Sequence, residues 1–187
     1  MAAEAPPPVI EELTHACLEY VLRAVGVGLD FRPETLPLLD HYAVGVRPEL
    51  EKNPALGDMI ARATGAYFGE LVRARFDGFW RLASPSVHDW SVCLRTAFLS
   101  LNPLGVGYDA VYGGDTHDGP RSNLRVPPED GEYLDRRLAT LPPVPEDEYF
   151  LFSTRFEVLE VAVESLRAKL DEQGYGETTF SEEDYGG

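Results

Sequence analysis

The densest run of chemically able side chains is Tyr112-Gly113-Gly114-Asp115-Thr116-His117-Asp118-Gly119-Pro120-Arg121. Asp115, His117 and Asp118 are the ligand types of a metal site or the members of an acid–base pair, and Arg121 supplies a guanidinium that can grip an anion. The spacing departs from the D-x-[DN]-x-[DN]-G calcium loop and from H-E-x-x-H. Gly, Asp, Thr and Pro are also what any surface turn is made of. Residues 113–128 are therefore expected to form a loop. Asp115, His117, Asp118 and Arg121 are its candidate binding residues, with no metal assigned to them.

The remaining reactive side chains are scattered. Of the four histidines, His15 and His41 fall on expected helices and His88 in an expected turn. Glu12-Leu13-Thr14-His15 matches one half of a di-iron E-x-x-H pair, but the second half is missing. Cys17 and Cys93 lie in apolar segments, where a thiol packs as a small hydrophobe; they build neither a disulfide framework nor a zinc cluster. The sequence contains no G-x-S-x-G elbow and no P-loop, and Gly26-Val27-Gly28 lacks the third glycine of a dinucleotide fingerprint. No catalytic residue and no cofactor is assigned.

Charge is the strongest global signal. Thirty-two Asp and Glu against sixteen Lys and Arg give a formal charge of −16. No basic stretch or basic helical face is present, so direct binding to nucleic acid or to an anionic membrane is disfavoured. A partner, if charge selects it, is a basic protein. Met1-Ala2-Ala3-Glu4 lacks the basic and apolar regions of a signal peptide, and no apolar run is long enough to span a bilayer. A cytoplasmic protein is the expectation, of undetermined oligomeric state.

Hydrophobic periodicity lays out the elements that must position these residues. Ile10, Leu13, Cys17, Leu18, Val21 and Val25 recur at helical spacing and stop at Gly26. Asp30-Phe31-Arg32-Pro33-Glu34 is a helix start, with Leu36, Leu39, Tyr42 and Ala43 facing inward and a stop near Gly45. Residues 47–54 read as a connector or short helix. Residues 54–76 form the longest helical candidate, with Ile60, Ala63, Tyr67, Leu71 and Phe76 on one side. Ala61, Gly65 and Gly69 make a small-residue strip that predicts a second backbone close by.

Residues 79–82 and 90–95 alternate like strands, and residues 97–101 extend the sheet. A short helix over 104–112 and another over 129–141 follow. Thr154-Arg155-Phe156-Glu157 is a capping box for a long final helix ending at Gly174. The expected fold is α+β: a helix-rich single domain over 1–174, with N-terminal helices on a small, mainly antiparallel sheet and a long C-terminal helix. Residues 175–187 mix acids with Tyr175, Phe180 and Tyr185 and are expected to be a disordered tail whose aromatics order on a partner.

Ala63-Thr64-Gly65-Ala66-Tyr67-Phe68-Gly69-Glu70, then Trp80, then Leu101-Asn102-Pro103-Leu104-Gly105 together resemble a group of uncharacterised bacterial domains. In that group a "GAYFGE" helix precedes a small sheet. The resemblance covers roughly residues 55–110 and implies a helix-flanked sheet in a bacterial cytoplasm. It transfers no catalytic residue. Acidity, missing motifs and the acidic-aromatic tail favour a non-catalytic interaction module, an adaptor or immunity-type protein. An enzyme or ligand-binding site around Asp115–Arg121 and a nucleic-acid mimic are the alternatives.

Overall fold

The structure, a computed structural model, describes residues 5–116 and 118–186. Met1–Glu4, His117 and Gly187 lie outside them, and with them the N-terminal reading above and one of the four loop candidates. The described residues form an α+β fold of six α-helices and one three-stranded antiparallel sheet. None of the helices is long and apolar enough to cross a membrane.

Helix α1 (Pro8–Val25) starts with Pro at its first position and ends at Gly26, whose φ of 78° lets its N–H close onto the Leu22 carbonyl. Asp30 then shapes the entry to α2 by accepting the Arg32 N–H and the Thr35 hydroxyl, each at 3.1 Å. Helix α2 (Leu36–Lys52) does not stop at Gly45. It runs through Pro48, so residues 47–52 are helix and not a connector. A proline inside a helix sacrifices one backbone bond. Two long-range contacts offset that loss: Leu50 is buried, and Arg47 donates to the Ala110 carbonyl at 2.8 Å.

Helix α3 (Ala55–Arg75) is the centre of the molecule. The one-sided stripe expected from its sequence is too narrow, because every residue from Ala63 to Val72 is buried, with Ile60 and Ala61. A helix buried all round must pack on every side. Helix α1, helix α4 (Pro103–Tyr112) and strands β1 (Gly78–Leu82) and β2 (Trp90–Leu94) surround it. The small-residue strip meets the expected second backbone, which is α4. A Cβ on Gly65 would sit 2.6 Å from both Leu104 Cα and the Pro103 carbonyl oxygen. Gly69 makes room for the Trp80 ring instead.

In the sheet β1 pairs with β2 from Gly78↔Leu94 to Leu82↔Trp90, and β2 pairs with β3 (Ser100–Leu101) through Val92↔Leu101 and Cys93↔Ser100. All of β2 is buried, as befits the central strand. Helix α5 (Pro128–Leu138) then leads to α6 (Phe152–Glu172). The capping box at Thr154–Glu157 is not used. Helix α6 starts three residues earlier, with Leu151 in the cap position, and its N-terminus is held by Asp40 of α2, which accepts from the Phe152 N–H at 2.6 Å, the Ser153 N–H at 3.2 Å and the Ser153 hydroxyl at 2.5 Å.

The segment after Gly174 is not the disordered tail expected from its composition. Tyr185 returns to the turn after β2 and stacks on Phe98, with ring centroids 4.4 Å apart and planes at 4°. Its hydroxyl accepts the Leu99 N–H at 3.0 Å and has the Leu94, Ala97 and Leu99 carbonyls within 3.1 Å. Phe180 meets Phe98 edge-on, and its N–H donates to the Arg95 carbonyl. Composition read as disorder because the rings that receive this segment are far away in sequence. Tyr185→Phe is expected to lower stability by about 1–3 kcal/mol, because it removes the one hydroxyl hydrogen available to the Leu94 carbonyl and an acceptor for the Leu99 N–H. Urea unfolding of the two proteins measures the difference, and equal midpoints would show the strap to be ornamental.

Candidate functional site

The loop candidates come together only in part. Helix α4 ends at Gly113, whose φ of 75° turns the chain and lets its N–H bond the Asp109 carbonyl. Beyond it Arg121 Nη1 lies 3.4 Å from Asp115 Oδ1, with both side chains mostly exposed, at 59% and 63%. Such a surface pair is worth about 0–1 kcal/mol and closes the loop. Asp118 is exposed on the same loop and His117 lies outside the described residues. His15, His41 and His88 are exposed, and among the described residues no three His, Cys, Asp or Glu side chains cluster as a metal site.

The thiols are placed as the sequence predicts. Both cysteines are buried and free, and burial pushes each thiol pKa up, Cys17 most strongly. A thiol so placed stays protonated at neutral pH and is inert as a nucleophile. Of the three tail aromatics, Phe180 and Tyr185 are spent on Phe98, and Tyr175 alone is largely exposed, at 62%.

Behind the loop the structure assembles a polar group that sequence reading missed. Asp109 of α4, Ser122 of the loop and Arg155 of α6 meet at one end of a cavity of about 510 Å³ between α4, α5 and α6. Ser122 Oγ donates to Asp109 Oδ2 at 2.5 Å, and Arg155 Nη2 donates to Ser122 Oγ and lies 3.6 Å from Asp109 Oδ2. The Tyr149 ring stands 5.5 Å from the Arg155 guanidinium. One sequence signal was present: Asp109 is the only charged residue in the apolar helix Pro103–Tyr112. An acid in so apolar a helix needs a partner.

Burial raises the Asp109 carboxyl above the usual carboxylate range, against the opposing pull of the Ser122 hydrogen bond and the Arg155 charge. Asp40 is likewise raised by burial, against its bonds to Ser153 and Phe152. A carboxyl raised in the folded state binds more protons there than in the unfolded chain. Its contribution is therefore complete below the unfolded value and is lost as pH rises through the folded one. Unfolding free energy should fall as pH rises through the range above the unfolded carboxylate value of about 4, and Asp109→Asn should flatten that slope. Urea titrations across this window test it, and an unchanged slope in the variant would count against the assignment.

A second concave surface lies elsewhere. A groove of about 780 Å³ runs along α6, between the C-terminal end of α3 and the segment that joins α5 to α6. Leu141, Pro142, Val144, Val158, Val161 and Phe76 give it an apolar lining. Asp77, Glu157, Glu160 and Glu164 face Arg75 and Arg167 around it, so carboxylates outnumber guanidiniums two to one. Arg75 is drawn to Glu160 at 3.4 Å. Comparison with protein-family models, curated proteins and solved structures returns no match.

The stretch from Ala63 to Gly105 folds into most of α3, the sheet and the start of α4. Its polar residues hold the fold. Glu70 is 8% exposed; it accepts the Trp80 indole N–H at 2.7 Å and pairs with Arg73 at 2.8 Å. Asn102 caps α4 by accepting the Leu104 and Gly105 N–H groups, and its amide donates to the Val87 carbonyl at 2.7 Å. Trp80, Glu70, Gly65, Gly69 and Asn102 thus lock α3, α4 and the sheet together. None of these contacts needs a ligand to explain it.

Proposed function

We propose that this protein is a non-catalytic interaction module, an adaptor or immunity-type protein. In this reading it docks a basic, amphipathic segment of a protein partner in the groove along α6. The observation that carries the proposal is the make-up of that groove, an apolar lining set among an excess of carboxylates, within a chain of formal charge −16. Glu157 and Glu164 are exposed and two turns apart on one face of α6. Val158 and Val161 lie between them. A helix with lysines or arginines flanking an apolar stripe matches both features at once. The negative field steers such a partner, and burial of its apolar stripe retains it. A bacterial cytoplasmic setting, taken from the resemblance, belongs to the same proposal.

A labelled Lys/Leu amphipathic helical peptide, titrated by fluorescence anisotropy, tests the charge requirement. Binding should weaken as salt rises to physiological ionic strength. The Glu157→Gln/Glu164→Gln double variant should bind roughly tenfold more weakly. A Glu/Leu peptide that bound as well, or a double variant with unchanged affinity, would defeat the proposal. Competition of the peptide by duplex DNA mimicry would be a separate outcome, seen as displacement of DNA from a DNA-binding protein, and it too would count against a docking groove.

A further inference from the structure

The cavity behind the loop carries an inference independent of the groove. Its walls come from Leu124, Val126, Leu134 and Leu138, and its polar end from Arg155, Ser122 and Asp109. An apolar pocket with a few convergent polar groups is the usual form of a small-molecule site.

Arg155 is the unusual member. Its side chain is only 16% exposed and the Asp109 side chain 4%. A guanidinium offers five N–H donors in a fixed fork. Here Nη2 is committed to Ser122 and Asp109, which fixes the plane of the group. Nε and Nη1 have no protein hydrogen-bond acceptor among the described residues. A guanidinium only 16% exposed, anchored at one nitrogen and with no protein acceptor at the other two, is pre-organised for a planar, two-oxygen acceptor.

We propose that this cavity binds a small carboxylic acid with an apolar body, its carboxylate on Nε and Nη1 of Arg155 and its hydrocarbon against Leu124, Val126 and Leu138. Nearby acids do not forbid the anion. Asp109 already accepts from Ser122 and faces the Arg155 charge, Asp115 is paired with Arg121, and Asp135 sits on the exposed side of α5. The two oxygens of the ligand supply the in-plane acceptors that Arg155 lacks, and the apolar walls favour a chain of several carbons. Phosphate esters fit less well, since a doubly charged head would face Asp109, Asp115 and Asp135 together.

Isothermal titration of the intact protein with hexanoate and with hexanamide separates the carboxylate from the chain. Hexanoate should bind, and hexanamide at least tenfold more weakly. Because Arg155→Gln alone strands a buried acid, Asp109→Asn/Arg155→Gln removes the pair together, and Leu138→Glu sets a charge on the wall without touching it. A thermal melt verifies that each is folded. Both variants should lose hexanoate binding by tenfold or more. No heat with hexanoate at millimolar concentration, equal binding of the amide, or undiminished binding by folded Leu138→Glu would each overturn the proposal.

Discussion

Gly107→Val is expected to destabilise the protein by about 3 kcal/mol or more, enough to shift a thermal midpoint by several degrees. A Cβ at this position would lie 2.2 Å from the Ala61 carbonyl oxygen and 2.7 Å from the Gly65 amide nitrogen. Both are backbone atoms of α3, so neither can swing aside as a side chain would. Relief requires α4 to move off α3. That movement strains the Tyr108 hydroxyl's bonds to Asp58 and Arg62, which join α4 to α3 directly. Gly45→Ala is the internal control. Gly45 is exposed in α2, and a Cβ there meets nothing within 4 Å. It should leave stability unchanged or raise it by up to about 1 kcal/mol. Urea unfolding of both variants measures the contrast; a Gly107→Val protein as stable as its parent would mean that α4 is not clamped.

Asp40→Ala is expected to cost about 2–4 kcal/mol. The Asp40 carboxylate joins α2 to the first turn of α6 across more than a hundred residues, and it is 7% exposed. Its loss strands the Phe152 N–H, which is buried, together with the Ser153 N–H and hydroxyl. The negative end also vanishes from a helix N-terminus, where the macrodipole favours it. Asp40→Asn keeps an acceptor for one amide and should lose about half as much. Hydrogen exchange should locate the damage in the first turn of α6 and not in α3. Uniform loss of protection across the molecule would show that the contact does not act as a cap.

Local elements were legible where local physics decides them. The α1 stripe and its Gly26 stop depend on nearest neighbours, and the Ala61–Gly65 strip announced a close backbone before α4 was placed against it. Reading failed where a distant residue decides. Gly45 argued for an end to α2, but burial of Leu50 and the Arg47 bond to Ala110 carry the helix on through Gly45 and Pro48. The Thr154–Glu157 box was outcompeted because Asp40 is already in place at Phe152. The tail looked unstructured because its acids and turn residues carry no period, while its anchors, Phe98 and the Leu94 and Leu99 carbonyls, lie near residue 95. The same limit governs the sites. Asp115 and Arg121, six residues apart, were visible and form a surface pair. Asp109, Ser122 and Arg155 come from two helices and a loop, and only the packing of α4 on α6 makes them one group.

Hydrogen exchange with and without the Lys/Leu peptide addresses the acidic groove most directly. Docking there should slow exchange in the segment joining α5 to α6, around Leu141 to Val144, and along α6 from Glu157 to Arg167, and the protection should fade as salt rises. Binding without protection of those two segments, or protection confined to the Asp115–Arg121 loop, would contradict it.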